Sequence, residues 1–260
     1  SLDFISYGQP GKLSNTLLWR ISGNGLTKPS YLFGTMHLTD KRIFYFGDSL
    51  YNAIEQTQAF AAELDMNRLG TQMVNQLMSD KEEKAAREPV KVKEAVNAET
   101  WNKYKDLLAS KFYKPAEKIT LDDLEEMESA LQAEIFKKGD MPTFVDAYLF
   151  DIARKQGKWV GGIEDLQDQL EHINSEDIEG KIQTALFDDK YYRSGIERLI
   201  KIYNAQFLDS IDAMYRGENG QKDYIMIKRN RKMAQRMDSL SAIRPTFFAV
   251  GVAHLPGDSG

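Results

Sequence analysis

The sequence predicts an α/β fold in which a central, mostly parallel sheet is covered by helices, entered through an N-terminal β-hairpin and interrupted by a large helical insertion. Three observations carry this expectation. Apolar runs at 30–35, 59–64, 158–163 and 246–251 alternate with helical sequence, the pattern of strands buried on both faces by crossover helices. A further run, 16–21, precedes the first across SGNGLTKP, whose Asn24-Gly25 pair suits a turn with positive φ. From 66 to about 142 the pattern is helical, with charge-rich surfaces.

At 260 residues, 42% hydrophobic and 28% charged, the chain is expected to form one α/β domain over 1–260 with the insertion inside it. The net charge of −5 argues against a protein that tracks a nucleic-acid backbone. No apolar run approaches the roughly 18 residues of a membrane span. The absence of cysteine removes disulfides and thiolate ligands, so any metal would be held by nitrogen and oxygen.

In order, Asp48 is expected to cap a helix that buries Leu50, Tyr51 and Ile54. Three stripes follow in the insertion: Leu69, Met73 and Leu77; Trp101, Tyr104 and Leu108; and Leu121, Leu124, Met127, Leu131 and Ile135. Thr120 and Asp123 form a capping-box pattern, and 80–93 has the composition of a solvated face. Thr143 is expected to cap a helix with Val145, Tyr148, Leu149 and Ile152 inward, stopped by Gly157. The last helix, about 223–240, carries Met226, Met233, Met237 and Leu240 on one side. Its spacing puts Arg229 and Asn230 on or beside that side, with Lys228, Arg231 and Lys232 pointing away.

Chemistry concentrates at the ends of the apolar runs. Gly34 to His37 and Gly251 to His254 repeat the pattern strand, glycine, two residues, histidine, and the chain has only three histidines; the third, His172, lies in an exposed-looking helix. The two remaining runs deliver Glu63 and Glu164. Ligands collect at the carboxyl ends of parallel strands. Adjacent strands would therefore gather two imidazoles and two carboxylates, a donor set suited to Mn, Co or Zn. A metal there would acidify a water, and a spare carboxylate could take the proton. For Glu63 and Glu164 the alternative is helix capping or pairing with a base. An inward Arg229 serves either as a buried ion-pair partner or as a substrate clamp.

GTMH at 34–37, AELD at 62–65, KWVGGIED with the following LQDQL, KRNRKMA at 228–234 and FFAVGVAHLPG near the end together resemble the TraB/PrgY/GumN family. That family includes the Tiki proteins and stands near the erythromycin-esterase-like and haem-binding ChaN-like folds. The resemblance implies a metal-dependent hydrolase, for Tiki-like members a peptidase using Mn or Co. His37, Glu63 and His254 would be the metal ligands. Glu63, Glu164 and Arg229 would be catalytic, and Asn230, which completes the family's Arg-Asn pair, would bind substrate. The family usually continues past the second motif, so the chain is expected to stop short at its C-terminus. Bacterial members are often exported, which implies an extracytoplasmic location after loss of a leader, with a cytoplasmic one as the alternative. The expected partner is a peptide or small-molecule substrate, with no nucleic acid and no transmembrane segment, and the oligomeric state is open. Two other functions stand beside this: a metal-free hydrolase in which His37 is the base and Glu63 assists, and a non-catalytic module that binds a peptide signal or haem.

Overall fold

A computed structural model describes residues 15–136, 140–169, 178–186, 189–215, 224–257 and 260. The expected α/β architecture is present. Five strands, β1 (Leu18–Ile21), β2 (Ser30–Thr35), β3 (Ala59–Ala62), β4 (Trp159–Gly162) and β5 (Thr246–Gly251), form one sheet in the order β1-β2-β5-β3-β4. Only the β1–β2 pair is antiparallel. The hairpin turns at Asn24 and Gly25, with φ of 47° and 80°, the left-handed geometry that Asn-Gly supplies at low cost.

The central strands β3 and β5 are apolar apart from the buried Thr246, because both faces are covered. All four residues of β3 are buried, as are five of the six in β5. Phe60 and Phe247, partners in the β3–β5 register, stack with ring centroids 5.6 Å apart, and Phe150 meets Phe60 edge-on. Phe150 belongs to α6 (Val145–Lys155).

The helices before it are α1 (Asp48–Gln56), α2 (Met66–Ala86), α3 (Val92–Ala95), α4 (Ala98–Phe112) and α5 (Leu121–Phe136). After it come α7 (Ile178–Leu186), α8 (Asp189–Asn204), α9 (Leu208–Tyr215) and α10 (Tyr224–Ile243). Backbone contacts divide the chain into a sheet unit (1–70, 139–172 and 197–260) and a helical unit (71–138 and 173–196). In the helical unit Trp101, Tyr104 and Leu108 of α4 pack with Leu124 of α5 and with Ile182 and Ala185 of α7. The Thr120 hydroxyl accepts from Asp123 N–H at 3.3 Å and Asp123 accepts from Thr120 N–H at 2.7 Å, so the capping box is formed.

Several local expectations are corrected. Asp48 is the first residue of α1 and Gly47 occupies the cap. Thr143 does not cap α6; Phe144 holds that position without a side-chain bond. The buried face of α6 comprises Val145, Asp146, Leu149, Phe150 and Ala153, so it is turned from the predicted one and includes an acid. Helix α2 buries no residue, and Met73 and Leu77 of its stripe are exposed. Gly157, at φ 72°, ends α6 as expected. His172 lies outside the described residues.

Candidate functional site

The strand order fixes what meets along the carboxyl edge. Reading from β2 through β5 and β3 to β4, the chain delivers His37, His254, Glu63 and Glu164, so the two histidines follow adjacent strands and so do the two glutamates. Both glycines of the repeated motif lie where a Cβ would crowd a neighbouring side chain. A Cβ on Gly34 would stand 2.5 Å from Leu255 Cδ1, and one on Gly251 would stand 2.9 Å from Glu63 Oε1.

Glu63 is the hub. The Gly251 N–H donates to its Oε1 at 2.5 Å, Gln169 Nε2 donates to its Oε2 at 3.0 Å, and Arg229 Nη2 lies 3.5 Å from the same Oε2. Oε2 thus has two donors, whereas Oε1 accepts from the Gly251 N–H alone and turns its other side to His254. Arg229 grips Glu164 with both arms of its fork, Nε to Oε1 at 2.6 Å and Nη2 to Oε2 at 2.8 Å. The three side chains are between 1% and 8% exposed, so this is a fully desolvated acid–base–acid triad. Burial opposes the guanidinium charge, but Glu164 and then Glu63 outweigh it and hold the Arg229 pKa above its ordinary value.

Helix α10 supplies Arg229 and, at the next position, Asn230, as the spacing predicted. Asn230 Oδ1 sits 2.5 Å from His254 Nδ1, and Asn230 Nδ2 donates to the His254 carbonyl at 3.4 Å. In the neutral ring that bond assigns the proton to Nδ1 and leaves a lone pair on Nε2. His254 Nε2 is 3.6 Å from Glu63 Oε1.

His37 is arranged differently. Its half-exposed ring packs against Phe144, with centroids 5.4 Å apart, and its Nε2 faces Asp146 Oδ2 at 3.3 Å. Crowding by protein favours the neutral ring. The Asp146 carboxylate, aided by Glu63, prevails over this and over the repulsion from Arg229, pushing the pKa up to about 9. Asp146 is 1% exposed; Thr35 Oγ1 donates to its Oδ1 at 2.6 Å, while Oδ2 has no hydrogen-bond donor.

The donor chemistry suits a hard or borderline divalent ion. His254 Nε2 and Glu63 Oε1 are separated by a span that two metal bonds of about 2.1 Å can bridge. Asn230 fixes the His254 tautomer in the way a metal-ligating histidine is commonly fixed. The buried Asp146 oxygen adds a negative atom whose charge is met by His37 alone, 3.3 Å away. Among the described residues no three or more His, Cys, Asp or Glu side chains are already gathered as a metal cage.

Sequence reasoning missed Asp146, Thr35 and Gln169. The first carried a signal: Asp146, Leu149, Phe150 and Ala153 follow the i, i+3, i+4, i+7 spacing of one helix face, which places an acid on a buried stripe. Nothing in the pattern marked Gln169.

Among the described residues no helix is long and apolar enough to cross a membrane. No curated protein and no solved structure matches the chain. A family model does match, over residues 17–260 and thus both histidine motifs and every strand of the sheet. On that match the chain belongs to the TraB/PrgY/gumN family.

Proposed function

We propose that the protein is a metal-dependent hydrolase, acting on peptides, whose centre is built from His254, Glu63 and His37. One observation carries the proposal: a buried imidazole and a buried carboxylate face each other across 3.6 Å, each held in place from behind. Asn230 holds His254 through Nδ1, and the Gly251 N–H and Gln169 hold Glu63. Two electron-pair donors aimed at one point invite a cation or a shared proton.

The residues to hold a divalent ion are His254 through Nε2, Glu63 through an oxygen lone pair, and His37 as the third ligand; Mn, Co or Zn would suit this set. When bound, such an ion polarises a scissile carbonyl and lowers the pKa of water toward neutrality. Arg229 holds Glu164 by two hydrogen bonds and Glu63 by a longer one, and so fixes the direction of both carboxylates. Glu63, through the Oε1 that accepts only from the Gly251 N–H, is placed to accept a proton. The half-exposed His37 ring marks the side from which substrate would enter. The family resemblance adds the peptide substrate class and an extracytoplasmic location to the same proposal.

The test is calorimetric titration of tag-free, metal-stripped protein with Mn, Co and Zn, followed by peptide-library cleavage. Binding near one equivalent raises Tm, because the ligand binds only the folded form. Glu63→Gln abolishes cleavage and weakens binding. No binding of any of the three ions overturns the metal reading.

The His37–Asp146 pair favours one alternative. A histidine backed by a buried carboxylate can serve as acid or base unaided. That version predicts cleavage that survives a chelator and is lost in His37→Ala.

A further inference from the structure

Asp146 has no place in the centre as drawn so far, and its surroundings are unusual. It begins the buried stripe of α6, it is 1% exposed, and one of its oxygens is satisfied by the buried Thr35 hydroxyl. The other oxygen has no fully formed hydrogen bond, and an unmet buried acceptor is costly, so its contact with His37 is what satisfies it. That oxygen points at His37 Nε2, 3.3 Å away.

We propose that Asp146 is a positioning residue that fixes the His37 ring with Nε2 turned inward, so that Nδ1 is the nitrogen His37 offers to the site. The choice follows from chemistry. A carboxylate can only accept, so the nitrogen facing it carries the proton, and a neutral ring then presents its lone pair from the other nitrogen. Thr35 aims the carboxylate, and Phe144 lies against the ring. The two histidines of the repeated motif are thus held by opposite atoms, His37 at Nε2 by Asp146 and His254 at Nδ1 by Asn230. In the neutral rings the unprotonated nitrogens are then His37 Nδ1 and His254 Nε2. Sequence identity of the motifs conceals this, because the positioning partners come from different helices, α6 and α10. Such outer partners typically change metal affinity about 10–100-fold when replaced.

The inference rests on the proposed role of His37, and the experiment separates the two. Full-length protein labelled with 15N-histidine is studied by long-range 1H–15N correlation, without metal at alkaline pH where the ring is neutral, and then with one equivalent of Zn. His37→Gln assigns the His37 signals. Without metal, the expected result is the Nε2–H form of His37; with zinc, the metal-induced shift falls on Nδ1 of His37 and on Nε2 of His254. A neutral His37 in the Nδ1–H form, or zinc on His37 Nε2, overturns the inference. If zinc moves neither histidine, the metal reading fails while the tautomer still decides the role of Asp146.

Thr35→Val keeps the carboxylate and is the milder variant. It should lower the Nε2–H fraction and weaken zinc binding about tenfold, with Asp146→Asn weakening it up to about 100-fold. If Asp146→Asn lowers Tm yet leaves the nitrogen assignment and zinc affinity at wild-type values, its role is structural only and the inference is wrong.

Discussion

Replacing Arg229 by Met tests whether the buried triad behaves as its geometry demands. The guanidinium makes two bonds to Glu164, at 2.6 and 2.8 Å, and lies 3.5 Å from Glu63, with all three side chains at most 8% exposed. Methionine fills much of the volume but strands two carboxylates in a water-poor site. Breaking a buried pair from one side costs about 3–5 kcal/mol. For a domain the size of the sheet unit that corresponds to a Tm lower by about 6–20 °C. Of the three tryptophans, Trp19 and Trp159 lie on β1 and β4, so in a Trp101→Phe background fluorescence follows unfolding of the sheet unit alone. Urea titrations at pH 7 and pH 5 should show the deficit shrinking on acidification, as the stranded carboxylates take up protons. Adding Glu164→Gln to Arg229→Met should recover part of the loss, giving a coupling energy above about 1 kcal/mol. A deficit below about 1 kcal/mol that does not change with pH would refute the claim that Arg229 neutralises buried charge.

Other expectations follow from single contacts. His37 is raised from 6.5 to about 9, so its ion pair with Asp146 adds stability fully present below pH 6.5 and lost as pH rises through 9. The Tm difference between metal-free wild type and His37→Gln should therefore narrow across that window, and a difference flat from pH 6 to 10 counts against the pairing. Gly251→Ala puts a methyl 2.9 Å from Glu63 Oε1, and calorimetry should show weaker binding of the proposed metal ion with the helical unit unaffected. Asp123→Ala removes half of the α5 capping box and should cost about 1 kcal/mol, seen as a lower urea midpoint in a Trp101-only protein.

The sheet was legible because buried parallel strands are written as continuous apolar runs, and the two GxxH motifs showed where two of them end. Arg229 and Asn230 were legible from their spacing to Met226 and Met233 on one helix face. What stayed hidden was partnership across the fold. The pairing of Arg229 with Glu164 rather than with substrate depends on contacts 65 residues apart in sequence. Asp146 escaped because the buried face was read one residue out of phase, through Tyr148 and Ile152 instead of Phe150 and Ala153. Periodicity also cannot tell an apolar stripe that finds a partner from one that does not. Leu108 of α4 is fully buried, whereas Leu77 of α2 is 65% exposed.

Among the described residues the strand latest in sequence, β5, is the middle one in the sheet, with β2 on one side and β3 on the other. Before residue 251 is available, the hairpin and the β3–β4 pair have no ladder between them, and each carries an open row of backbone donors and acceptors. A chain cut short ahead of Thr246 would therefore lose cohesion as well as His254, exposing two edges prone to self-association. The strand that joins the two halves of the sheet is thus also the one that brings His254 to Glu63.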